Sequence, residues 1–172
     1  VFEQLHGKAI SYNNVVDIDA AIALIKEFTE PTFVVIKHTN ACGTASRSNL
    51  KDAWECALAC DPISAFGGVI IANRRINLDT AIELNRLFFE ILIAGEYEDQ
   101  ALELLKSKKN RILLKMKDFE FQDIQFKSIL NGVIQQEKDL RTEQESDFKQ
   151  VTKKAPAKSE ISDLLFANKI VK

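Results

Sequence analysis

From Asp17 to Phe28 the apolar residues Ile18, Ala21, Ile22 and Ile25 recur at helical spacing behind an aspartate of N-cap type, which predicts an amphipathic helix. Beyond Pro31 the pattern shortens. Phe33 to Ile36 is a continuous apolar run rich in β-branched side chains, as expected of a strand buried on both faces, and the residues after it read as a polar loop. Leu50, Ala53, Trp54, Ala57 and Leu58 mark a second helix that stops before Asp61-Pro62. Val69 to Ala72 predicts the next strand, Asp79 caps a helix carrying Ala81, Ile82 and Leu84, Ile91 to Ala94 is again a strand, and Glu98 to Lys106 is again helical. Helices and buried strands thus alternate from residue 17 to about 114. That order predicts a layered α/β domain with a largely parallel central sheet.

Past Arg111 the texture changes. ILLKMKDFEFQDIQFKSILNGVIQQ alternates apolar and polar residues around Phe119, Phe121, Ile124 and Phe126, which predicts strands or a hairpin with one wetter face. Residues 137–158 are highly charged with few large apolar groups and read as a linker or exposed excursion. From Ser159 a final helix carries Ile161, Leu164, Leu165 and Ile170 as an apolar stripe that needs a partner surface. The expected organisation is a lobe over 1–136, the charged segment over 137–158 and a helix over 159–172. There is no internal repeat.

Composition narrows the class. A chain of 172 residues with 46% hydrophobic positions suffices for one ordinary core. With 23 Lys plus Arg against 25 Asp plus Glu, the net charge of -2 gives no broad electrostatic reason to expect nucleic acid or an anionic membrane. Lys106, Lys108, Lys109 and Arg111 read as a solvated helix end. No apolar run reaches the roughly 18 residues of a membrane span, so the expected setting is cytoplasmic. The three cysteines, Cys42, Cys56 and Cys60, read as reduced thiols. The chain opens on Val1 and ends inside an expected helix, and reads as a piece of something longer.

Two stretches carry candidate chemistry. In FVVIKHTNACGTAS, Lys37 and His38 stand at the carboxyl end of a predicted buried strand, the edge where open α/β sheets bind ligands. A neutral histidine takes a proton near pH 7, and a neighbouring ammonium balances charge developing on an oxygen. The pair converges only if the backbone leaves β geometry, because adjacent strand side chains point to opposite faces. Spacing alone leaves a second reading open, a solvated strand-end lysine and a hydrogen-bonded loop histidine. Cys42 invites a nucleophile reading, since a lysine is near, and equally a packing role. In DPISAFGG, Asp61 to Gly68, paired glycines allow close backbone approach, and Ser64 with exposed amides is a candidate phosphate contact; a tight structural turn is the alternative.

Taken together, FEQLHGKAISYNNVVDIDAA, VVIKHTNACGTA, CDPISAFGGVIIANRRI and FFEILIAGEYEDQALELLKSKKNRILL resemble, in order and spacing, the family that joins 5-aminoimidazole-4-carboxamide ribonucleotide (AICAR) formyltransferase to inosine monophosphate (IMP) cyclohydrolase. The resemblance implies a three-layer α/β/α, cytidine-deaminase-like lobe of the formyltransferase domain. It implies formyl transfer from 10-formyltetrahydrofolate to the 5-amino group of AICAR in purine biosynthesis, without a metal. His38 matches the family's catalytic histidine and Lys37 the adjacent lysine. Phe66 and Gly67 match the turn that approaches AICAR, Glu90 falls where an acidic residue meets the nucleotide, and Asn40 is carried over as a further substrate contact. The implied partners are a second lobe and a homodimer mate, so the fragment alone is expected to have little or no activity; a non-catalytic assembly module of the same fold is the alternative. Two departures stand out: Ala41 where the family has proline, with a modest loss of loop order expected, and Gly95-Glu96 in place of proline-glycine. The zinc signature of deaminases is missing, since His38-Thr39-Asn40 has no glutamate.

Overall fold

The computed structural model describes residues 1–171; Lys172, the last residue of the expected terminal helix, lies outside the described residues. The chain divides into two compact units, Val1–Asp118 and Phe119–Lys172, whereas composition placed a change at 136.

The first unit is a six-stranded sheet with helices on both faces. In chain order it contains β1 (Phe2–His6), α1 (Tyr12–Ile25), β2 (Thr32–Lys37), β3 (Asn40–Ser46), α2 (Leu50–Cys60), β4 (Val69–Ala72), α3 (Leu78–Leu84), β5 (Ile91–Ala94), α4 (Asp99–Lys106) and β6 (Ile112–Met116). The strand order is β1-β6-β5-β4-β2-β3. The expected α/β/α layering is present, but the sheet is mixed, not largely parallel. Only the β4–β5 and β5–β6 pairings are parallel, while β1–β6, β2–β3 and β2–β4 are antiparallel. The cause is local: β2 turns straight back into β3, so the presumed polar loop is itself a strand.

Side-chain alternation divides the core. Phe33, Val35, Ile70, Ala72, Leu92, Ala94 and Leu113 pack with Ala53, Trp54 and Ala57 of α2, Leu84 of α3 and Leu105 of α4. Trp54 meets Phe33 edge-on at 5.4 Å between ring centroids. The alternate positions, among them Val34, Ile36, Val69 and Ile71, are also buried. Helix α1, which lies against β2 and β4, brings Ile18, Ala21, Ile22 and Ile25 to that other face.

Several element boundaries differ from expectation. Helix α1 starts at Tyr12, capped by Ser11 rather than Asp17: the Asn14 N–H donates to Ser11 Oγ at 3.2 Å and the Ser11 N–H to Asn14 Oδ1 at 3.1 Å. Asn77, not Asp79, caps α3 by accepting from the Thr80 N–H at 2.9 Å. Arg111 is not part of a solvated helix end. It is 4% exposed, donates to Asn85 Oδ1 at 2.8 Å and to Leu105 O at 3.2 Å, and lies 4.2 Å from the centroid of Phe89. Burial pulls its pKa down to about 10.

The second unit contains the hairpin β7 (Ile124–Ile129) and β8 (Gly132–Glu137), then α5 (Lys158–Ile170). The hairpin was expected to have one wetter face, yet every one of its strand residues is exposed. The charged stretch between β8 and α5 carries a single 3-10 turn, Glu145–Asp147. No helix among the described residues is long and apolar enough to cross a membrane.

Candidate active site

The β2–β3 connection has just two residues between the paired Lys37 and Asn40. Both stand at positive φ, His38 at 52° and Thr39 at 63°. Consecutive positive φ values make the mirror-image turn that matches strand twist, ordinarily built from Asn-Gly or Gly-Gly. An L-residue held there costs roughly 1–2 kcal/mol, and a β-branched threonine is a particularly poor fit. The turn persists because its polar groups are held from several sides. The Thr39 N–H donates to Asp17 Oδ1 at 2.8 Å, and Thr39 Oγ1 and Asn40 Nδ2 both donate to His38 O, at 2.6 and 2.9 Å. The backbone therefore does leave β geometry at His38, as convergence with Lys37 requires.

Lys37 turns toward the segment between α2 and β4. Its Nζ donates to Phe66 O at 2.7 Å. Gly67, at φ 70°, leaves room for that ammonium, since a β-carbon there would lie 3.2 Å from Lys37 Nζ. Gly68 serves packing: its β-carbon would stand 3.0 Å from Ile36 O and 3.1 Å from Ala65 O. The close approach that the glycine pair allows at Gly68 is thus to the protein's own backbone. The Ser64 N–H and hydroxyl both donate to the Asp61 carboxylate, at 2.9 and 2.6 Å, and these bonds hold Asp61 below the usual carboxylate range. Ser64 closes the turn, so the structure does not leave it as the phosphate contact raised by the sequence.

Phe66 and Phe88 form an exposed tilted pair, 5.0 Å between centroids, beside Gly67. Sequence reasoning passed over Phe88. It meets Phe66 only through the fold and carries no local signal of its own. The backbone joins this edge to Glu90, because Gly67 N–H donates to Phe88 O at 2.9 Å and Glu90 N–H to Gly68 O at 3.1 Å. The Glu90 carboxylate accepts from Asn14 Nδ2 at 3.3 Å and pairs with Lys8 at 3.3 Å. Lys37, Phe66 and Gly67 are therefore in direct contact, His38 and Asn40 occupy the adjoining turn, and Glu90 is tied on through the Gly68 backbone. Besides Phe88, the residues at this edge that the sequence reading did not assign to the site are Lys8, Asn14 and Asp17, the last of which it read as a helix cap.

Cys42 sits in a register shift. Val35 pairs with Gly43 and Ile36 with Ala41, which leaves Cys42 as the extra residue of a bulge, its thiol donating to Val35 O at 3.6 Å. Burial pushes the thiol pKa up despite the pull of Lys37, so the thiolate that a nucleophile needs is disfavoured. Ala41 lies beside the bulge on the edge strand β3, a place where sheets accept proline.

The class defined so far is an α/β/α lobe whose strand ends bring a histidine, a lysine, an exposed aromatic pair and a carboxylate to one edge. The sequence profile of the AICARFT/IMPCHase bienzyme family matches residues 1–172, and the chain belongs to that family. It is 53% identical over 172 residues to the bifunctional purine biosynthesis protein PurH of Bacteroides thetaiotaomicron, covering 100% of this chain and 34% of the relative. The proteins of the same name from a Thermoanaerobacter species and from Caldicellulosiruptor saccharolyticus are each 46% identical, over 99% of this chain and 34% and 33% of their own lengths. The chain thus spans about a third of the curated relatives it matches.

Proposed function

We propose that this chain is the first lobe of an AICAR formyltransferase, which transfers the formyl group of 10-formyltetrahydrofolate to the 5-amino group of AICAR in purine biosynthesis. The observation that carries the reading is the strained His38-Thr39 turn set beside a lysine anchored on Phe66 O. Strain held by several hydrogen bonds is characteristic of residues kept for chemistry. The amine of AICAR is a weak nucleophile because its lone pair is delocalised into the ring. In the reaction its nitrogen forms a bond to the formyl carbon, the carbonyl pair moves onto oxygen, and the amine becomes acidic. His38 takes that proton. The Lys37 ammonium spends one N–H on Phe66 O and has two left for the developing oxyanion. Collapse re-forms the carbonyl and expels the folate nitrogen, which leaves with a proton returned through the same pair. Phe66, Gly67, Asn40 and Glu90 line the nucleotide side, and Phe88 extends the apolar edge. The site is completed by a second lobe and a homodimer partner, so this chain alone has little or no activity.

The test uses the full-length protein, whose cyclohydrolase activity controls for the amount of protein and whose melting temperature controls for folding. His38→Ala lowers formyl transfer by about 10²–10⁴-fold, the usual contribution of a general base, while cyclohydrolase activity is retained. Lys37→Ala gives a loss of similar order. Full formyl transfer by His38→Ala would refute the reading, and turnover by the 172-residue chain, abolished by the same change, would refute the split site.

A non-catalytic assembly role rests on a different observation: Phe126, Val133 and Ile134 are exposed on the hairpin, with Leu130 99% exposed at its turn. Unchanged formyl transfer in both variants, with altered oligomeric state on Leu130→Asp, would favour it.

A further inference from the structure

The hairpin that carries His38 is closed at its tip by a residue from outside it. Between Lys37 and Asn40 the Thr39 N–H has no cross-strand partner, and its acceptor is Asp17 Oδ1 at 2.8 Å. Asp17 is in the second turn of α1, where it caps nothing, because the cap is Ser11. Its neighbour on the same helical face is Asn14, three residues earlier, which donates to Glu90 at 3.3 Å. One rigid helix, fixed beneath by Ile18, Ala21, Ile22 and Ile25, therefore touches the histidine turn through one polar side chain and the carboxylate edge through another.

We infer that Asp17 is a positioning residue for His38, acting through the Thr39 amide. This rests on the proposed role of His38. A hydrogen bond to an ionised acceptor is about twice as strong as a neutral one. Here it stabilises a turn made of two residues at positive φ, so its removal lets the backbone relax toward ordinary φ values and re-aims the His38 side chain. Asp17 itself touches no reacting atom. Its effect is on how often His38 stands in the productive orientation, and it falls on kcat and kcat/KM together while KM for AICAR changes little. A misplacement of about 1 Å is enough for a loss on the order of a hundredfold.

The experiment measures formyl transfer and cyclohydrolase activity of the full-length protein for Asp17→Ala, Asp17→Asn, His38→Ala and the double variant Asp17→Ala with Thr39→Gly. Asp17→Ala is expected to lose about ten- to a hundredfold in kcat with cyclohydrolase activity and melting temperature near wild type. Asp17→Asn keeps an oxygen acceptor in the same place and stays within a few-fold of wild type. Glycine adopts positive φ without a side-chain penalty, so Thr39→Gly recovers part of the loss in the Asp17→Ala background. Wild-type kcat in Asp17→Ala, or no recovery in the double variant, overturns the inference. If His38→Ala is fully active, the reading of the site has failed instead. If Asp17→Ala does not fold, Asp17→Asn decides: a kcat depressed as far as in His38→Ala, in a folded protein, overturns the role of the oxygen acceptor.

Discussion

Asp61 and Gly67 place the Lys37 anchor, and each does so by a different kind of chemistry. At Gly67 the requirement is conformational and spatial, since a β-carbon meets both a φ of 70° and the Lys37 ammonium. At Asp61 it is electrostatic: the carboxylate accepts both bonds from Ser64 and is favoured in its ionised form. A carboxyl pKa lowered by folding means that the unfolded chain binds the proton first as pH falls. The stabilisation is therefore fully present above the ordinary value near 3.8 and is lost as pH drops through the lower folded value. Asp61→Asn is expected to melt below the wild type at pH 6, with the gap closing toward pH 3; melting curves across that range check it, and a constant gap would assign the effect to shape alone. The glycines and the aspartate were visible in the sequence as a turn. Which atoms they serve was not, because Lys37 and Phe66 meet only after β2 and β4 have paired.

Among elements, the hairpin β2–β3 shows where sequence patterning succeeds and where it stops. The apolar runs Phe33–Ile36, Val69–Ala72 and Ile91–Ala94 announce buried strands, and each is one. An apolar run says nothing of direction, however, and the turn at His38-Thr39 lacks the Asn-Gly or Asp-Gly signal that marks a reversal. The returning strand, Asn-Ala-Cys-Gly-Thr-Ala-Ser, is short of large β-formers, so it reads as loop. Its small residues have a physical reason: a β-carbon on Gly43 would lie 2.1 Å from Ala57 O in α2. The helix presses directly on the strand backbone. Gly43→Ala must push α2 off the sheet or bend β3, and overpacking of this kind typically costs about 1–3 kcal/mol. Urea unfolding of the variant is expected to show that loss; on the proposed function, formyl transfer by the full-length protein decreases further because β3 leads out of the His38 turn. A variant as stable as wild type would mean that the helix moves freely. The cap of α1 was within reach of sequence, since Ser11 and Asn14 stand three apart. A capping box with asparagine in place of glutamate or glutamine is a faint signal, and Asp17 competed for the role. Arg111 was beyond reach. Its burial depends on Asn85 and Phe89, brought to it by the folding of separate elements.

At the scale of the whole chain, the buried core lies between Ile18 and Leu114, inside the first unit. The second unit has its own hairpin register and helix, yet all of its described residues are exposed or half-buried, with Phe126, Leu130, Val133 and Leu140 well exposed. Local stability follows buried apolar contact, so the two units are expected to open at very different free energies. Amide hydrogen exchange on the 172-residue chain tests this directly. Peptides spanning 32–37, 69–72, 91–94 and 112–114 are expected to exchange only on global unfolding, whereas those from 119 to 171 exchange far earlier, the β7–β8 ladder included. The same peptides measured in the full-length protein then report what the second unit is for. Protection gained there across 124–137 locates the surface that the rest of the full-length chain covers, and this is the expected result if the apolar residues of the hairpin exist to be buried. Slow exchange of 124–137 already in the isolated chain would contradict the picture, because it would require a stable core in a unit whose side chains are open to water.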